Sequence, residues 1–158
     1  MVVSTLVWVS GSPVGAWSSD DGAVAVFGSS SSYNDWSHSV AVDSSGNVYT
    51  TGFFNGTVDF DPGSGTDNHT STGSKDVFVL KLDSSGDLVW AKSFGGSANN
   101  DYGFSIAVDS SGNVYVAGEF HATADFDPGE GTAELTSDGG SAYALKLDSS
   151  GDYVWAKQ

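Results

Sequence analysis

The chain is 158 residues long, with 20 acidic side chains against 5 lysines and no arginine, for a formal net charge of −15. That imbalance argues against nucleic acid and anionic membrane surfaces as partners, since both are gripped through basic patches. Cysteine is absent, which excludes disulfide and thiol chemistry, and no apolar stretch approaches the length needed to cross a bilayer.

Residues 1–32 come first and stand apart from the rest. Their apolar opening, Met1–Ala16, lacks the basic n-region of a secretory signal and reads as an internal segment behind an initiator Met. Leu6-Val7-Trp8-Val9 resembles a strand motif that returns later, and Gly22–Gly28 reads as a further strand. Short runs rich in Val, Tyr, Phe and Trp then follow at Ser39–Val42, Asn47–Gly52, Asp76–Leu82 and Leu88–Ser93. The same series returns at Ser105–Val108, Asn113–Gly118, Ala142–Leu147 and Tyr153–Lys157. Each run is bounded by Gly, Ser, Asp or Pro, as strands are.

The recurrence is nearly literal. AVDSSGNVY at Ala41–Tyr49 returns at Ala107–Tyr115, an offset of 66, and KLDSSGD-x-VWAK at Lys81–Lys92 returns at Lys146–Lys157, an offset of 65. DFDPG stands between them at Asp59–Gly63 and Asp125–Gly129. A fixed period of this length marks a stacked-repeat architecture. The DSSG segments are hairpin turns: Asp bonds to amides ahead of it, and Gly takes the positive φ that a type I turn with a bulge requires. Each period is therefore a four-stranded antiparallel meander, with a longer loop carrying DFDPG between its second and third strands. The near-continuous apolar runs VFVLKL and AYALKL suit strands buried on both faces. The divisions expected are an N-terminal strand segment at 1–32, one repeat at 33–101 and a second at 102–158.

Tandem four-stranded meanders describe propeller blades. The string SIAVDSSGNVYVAGEF at Ser105–Phe120, followed by DFDPG, LTS and ALKLDSSGDYVWAK, resembles the bacterial seven-bladed β-propeller repeats of the SBBP type. The resemblance covers 33–158 and implies an all-β propeller fold in a large secreted or cell-surface protein, with no shared catalytic residues to carry over. Propellers need four to eight blades. Two blades close a ring only by association of copies or as part of a longer chain, with Leu6–Ser10 and Tyr153–Gln158 as edges open to pairing.

Motifs present in both copies are structural residues first. In DFDPG, the carboxylates of Asp59 and Asp61, and of Asp125 and Asp127, either cap the turn or converge on a hard cation such as Ca²⁺. Asn34-Asp35-Trp36 and Asn100-Asp101-Tyr102 precede the innermost strand of each meander and offer an aromatic platform beside polar groups, suited to a glycan or protein ligand. Trp90 and Trp155 recur at one strand position, where inter-blade packing is the plain reading. His38, His69 and His121 neither recur nor show metal-ligand spacing, and no nucleophile elbow is present. The expectation is a non-catalytic, extracellular module acting in self-assembly and binding. Its partners would be further copies or further blades. The alternatives are a lectin-like module using Trp36 and Tyr102 and a calcium-dependent adhesion module using the DFDPG loops.

Overall fold

The computed structural model describes residues 34–98 and 100–158; the expected strands within 1–32, with Trp8 and the edge Leu6–Ser10, lie outside them. Strands supply the regular structure: β1 (Trp36–Val42), β2 (Val48–Phe54), β3 (Thr57–Asp59), β4 (Asn68–Thr70), β5 (Asp76–Leu82), β6 (Leu88–Phe94), β7 (Tyr102–Val108), β8 (Val114–Asp125), β9 (Glu134–Leu147) and β10 (Tyr153–Lys157). One antiparallel sheet has the order β1-β2-β5-β6 and a second the order β7-β8-β9-β10. The protein is all-β, with two four-stranded meanders in tandem. No helix among the described residues is long and apolar enough to cross a membrane.

The turns close as their residues dictate. Asp43 Oδ1 accepts from the amides of Ser45 (2.8 Å) and Asn47 (3.0 Å), and Asp109 Oδ1 accepts from those of Ser111 and Asn113 (both 2.9 Å). Gly46, Gly86, Gly112 and Gly151 all take positive φ at the fourth turn position, where a side chain would strain the backbone.

DFDPG does not sit in a loop alone. The chain first forms a second tier of hairpin, β3 with β4 in the first copy and the outer halves of β8 and β9 in the second. Cross-strand threonine pairs hold this tier, Thr57 to Thr70 (2.8 Å) and Thr123 to Thr136 (2.9 Å), while Val58 and Ala124 are buried beneath it. The bend into it falls at equivalent positions, Gly56 (φ 77°) and Ala122 (φ 56°). These runs are too short, and too crowded by Gly, Ser and Asp, to stand out as strands.

The two meanders share one core. Tyr49, Val77 and Val79 of the first sheet pack with Ile106, Val114, Val116, Leu145 and Leu147 of the second. Strand β7 lies against β1, β2 and β5. Its Gly103 presses so closely on the first sheet that a Cβ there would stand 2.3 Å from Thr51 Oγ1. Polar links stitch the rim of this seam: His38 Nδ1 donates to the Gly103 carbonyl (2.8 Å), and Trp90 Nε1 donates to that of Ser149 (3.2 Å). Trp90 thus packs between the meanders, against Tyr49 at 6.2 Å between ring centroids. A separate cluster, Phe54, Val58, Phe60, Phe78, Leu80, Leu82 and Ala91, buries the other face of the first sheet.

One expectation divides between the copies. Strand β5 is buried on both faces, but in β9 Ala142 and Ala144 are exposed while Tyr143, Leu145 and Leu147 are buried. The cause is position: β7 covers the forward face of the first sheet, and no described element covers that of the second.

Candidate functional site

The six residues singled out ahead of the innermost strands fall at equivalent points of the two sheets, with different surroundings. Asp35 Oδ1 accepts from the amide of Asn55 (3.0 Å), and Asp101 Oδ1 accepts from that of His121 (3.0 Å), the matching position. Each Asp thereby ties the start of its first strand to the end of its second. Asp101, 1 % exposed, also accepts at Oδ2 from Gly96 (2.9 Å), and burial pushes its carboxyl above the usual range. Tyr102 stacks on Phe104 (5.7 Å) and meets Phe53 edge-on (5.2 Å), with Lys75 Nζ 4.3 Å from the Phe53 centroid. Trp36, by contrast, is 55 % exposed, and Asn34 beside it is exposed too. The second trio is thus built into the seam and the first lies on an open side.

Near Asp101 lies a second buried carboxylate. Asp76 Oδ2 accepts from the Thr72 amide and hydroxyl (both 2.9 Å), while its Oδ1 is buried without a hydrogen-bond partner, as is Asn100 Oδ1. Gly95 fits between the two acids: a Cβ there would lie 2.7 Å from Asp76 Oδ1 and 2.9 Å from Asp101 Oδ2.

The DFDPG carboxylates are occupied by the backbone. Asp59 Oδ1 accepts from the amides of Asp61 (3.0 Å) and Asp67 (2.8 Å), and Asp125 Oδ1 from those of Asp127 (3.0 Å) and Ala133 (2.8 Å). Asp61 and Asp127 each accept from the glycine two residues on, at 2.7 and 2.8 Å. Phe60 and Phe126 are buried, the packing role that goes with turn capping. Among the described residues, no group of three or more His, Asp or Glu side chains is placed to hold a metal ion.

The histidines also have structural partners. His69 Nδ1 meets Ser93 Oγ (2.9 Å), and His121 Nδ1 donates to the Asn100 carbonyl (2.8 Å), with Nε2 3.4 Å from Glu119.

The feature that motif reading passes over is the forward face of the second sheet. Two shallow hollows indent it. One, about 220 Å³, is lined by Phe104, Gly118, Glu119, Gly140, Ser141 and Ala142. The other, about 180 Å³, is walled by Ser105, Ala107, Tyr115, Ala117, Ala144 and Trp155. None of the six ligand candidates borders either hollow. Set back by one period, these walls become Ser39, Ala41, Tyr49, Thr51, Val79 and Trp90, the surface on which β7 rests. A sequence signal was available: alanines at 142 and 144 replace Val77 and Val79, and Glu119 replaces Phe53.

Comparison with known proteins agrees with this architecture. The SBBP family model, described as a beta-propeller repeat, matches residues 27–52 and 89–119. An uncharacterized WD repeat-containing protein of Acanthamoeba polyphaga mimivirus is 32 % identical over 127 residues, which make up 74 % of this chain and 9 % of that protein.

Proposed function

For a chain that carries SBBP β-propeller repeats, we propose the role of a non-catalytic repeat module of a secreted or cell-surface protein, whose meanders stack on one another and on further blades to build a binding scaffold. The observation that carries it is the seam: the forward face of the first repeat and the opposite face of the second meet in one continuous core, and the acids and histidines that invite a chemical reading are engaged in holding backbone. A span of 9 % of a WD repeat-containing relative supports a module that works within a larger set of blades. Protein or glycan ligands then meet the exposed end of the sheets near Asn34 and Trp36.

Stacked repeats must share stability across the seam. Val79 is fully buried there, so Val79→Ala removes about 2 kcal/mol. Hydrogen exchange in dilute protein is expected to show the slowest amides of β2 and β5 and those of β8 and β9 losing protection by the same factor. Loss confined to the first sheet would mean independently folding units and would sink this reading.

A further inference from the structure

Two acids from neighbouring repeats meet inside the seam. Asp76 opens β5, and Asp101 immediately precedes β7, held alongside by its own amide, which donates to the Lys75 carbonyl (2.8 Å). They are 3 % and 1 % exposed. A Cβ on Gly95 would lie 2.7 Å from Asp76 Oδ1 and 2.9 Å from Asp101 Oδ2, so both oxygens crowd one point. Asp101 Oδ1 accepts from the His121 amide, Asp101 Oδ2 from the Gly96 amide, and Asp76 Oδ2 from the Thr72 amide and hydroxyl. Asp76 Oδ1 alone has no donor. A donorless buried oxygen beside a second buried carboxylate is costly. One proton removes both costs, since it supplies the missing donor and cancels one of the two charges.

We infer that Asp76 and Asp101 hold one proton between them in the folded protein at pH values where an exposed aspartate is ionised, so that the junction between the repeats tightens in acid and loosens as pH rises. The proton belongs to the pair rather than to either acid. Burial above all, and to a lesser degree the Asp76 charge, raise the Asp101 carboxyl, against the pull of the His121 and Gly96 amides. The other charged and titratable neighbours are accounted for. Lys75 turns its Nζ over the rings of Phe53 (4.3 Å) and Tyr102 (5.3 Å). On β8, Asp125 Oδ1 holds two amides of its own loop, and Glu119 lies 3.4 Å from His121, whose charge when protonated favours ionised Asp101. Tyr143 of β9 is kept neutral by burial and by the Asp101 charge. A folded pair that binds its proton more firmly than an unfolded aspartate, at about 3.9, gives stability that is full below about pH 4 and lost as pH rises through the folded value. This is opposite in sign to the effect of the turn aspartates.

Asparagine at the two positions separates this role from simple packing. In Asp76→Asn the side-chain oxygen still accepts from Thr72, and Nδ2 stands where the donorless oxygen stood, offering Asp101 the hydrogen bond that the proton supplied. In Asp101→Asn the same nitrogen is forced against the Gly96 or the His121 amide, donor against donor. Melting temperatures of the full chain are compared from about pH 4.5 to about pH 7.5, in about 0.3 M NaCl to screen the remaining charge. Asp76→Asn is expected to melt close to wild type at the acid end and several degrees above it at the other. Asp101→Asn should melt lower throughout. Carbon-13 NMR of the aspartate carboxyls gives a second reading on the wild-type chain itself. One proton should leave the pair well above the ordinary aspartate range, and Asp76→Asn should abolish that step. A variant whose melting profile runs parallel to wild type, or two acids that both ionise near 3.9, would overturn the inference.

Discussion

Asp109 does four jobs in one turn. Its Oδ1 holds the amides of Ser111 and Asn113, and its Oδ2 accepts from Asn113 Nδ2 (2.8 Å) and Tyr115 Oη (3.1 Å). Asp43 repeats the arrangement with Ser45, Asn47 and Tyr49, which is why AVDSSGNVY returns nearly unchanged as a block. All four bonds favour the ionised acid, the Asn113 side chain most, and they hold the Asp109 carboxyl down at about 2. Asp43 is lowered for the same reason. A folded pKa below the unfolded value, about 3.9, gives stability that is present above pH 4 and lost as pH falls towards 2. The Asp43→Asn/Asp109→Asn double variant is therefore expected to show a flatter fall in melting temperature between pH 4 and pH 2 than wild type. An equally steep fall would place the acid sensitivity elsewhere.

The first strand of each meander bends inward at its start, where pairing shifts register between Ser37 and Ser39 and again between Gly103 and Ser105. The bend brings a carbonyl onto a glycine of the neighbouring strand: a Cβ on Gly52 would lie 1.8 Å from the Trp36 oxygen, and one on Gly118 would lie 1.8 Å from the Tyr102 oxygen. Backbone cannot yield as a side-chain tip can. Gly118→Ala is thus expected to cost roughly 3 kcal/mol by overpacking, while Gly139→Ala, with nothing within 4 Å, stays within about 0.5 kcal/mol of wild type. Chemical denaturation of the two variants checks the contrast, and equal effects would remove the bulge from the account. At this scale the period, the Asp-Ser-Ser-Gly turns and the apolar runs were plain in the sequence, because each rests on local backbone chemistry. The outer hairpin tier was not, since β3 and β4 hold three residues each and are fixed by pairing across the strands. Nor did motifs disclose the open face of the second sheet. Its walls carry no motif, and the only trace in the sequence is the change from Val77, Val79 and Phe53 in the first copy to Ala142, Ala144 and Glu119 in the second.

Across the whole molecule, a net charge of −15 works against compactness. The backbone amides that satisfy the turn aspartates leave these charges in place, so mutual repulsion persists in the folded state. Raising salt shortens the screening length from about 30 Å at 0.01 M to about 10 Å at 0.1 M. The melting temperature should accordingly rise by several degrees over that range in NaCl. Calcium separates screening from specific binding. Asp59 and Asp125 each accept two backbone amides at Oδ1, and Asp61 and Asp127 each accept one. A cation at DFDPG would compete with bonds that already close the loop, and among the described residues no third acidic ligand is brought in to share the load. CaCl₂ at matched ionic strength is therefore expected to give the same melting temperature as NaCl. A further rise with Ca²⁺ that Asp59→Asn and Asp125→Asn abolish would instead make these hairpin tips cation sites, and the calcium-dependent adhesion alternative would displace the one proposed above.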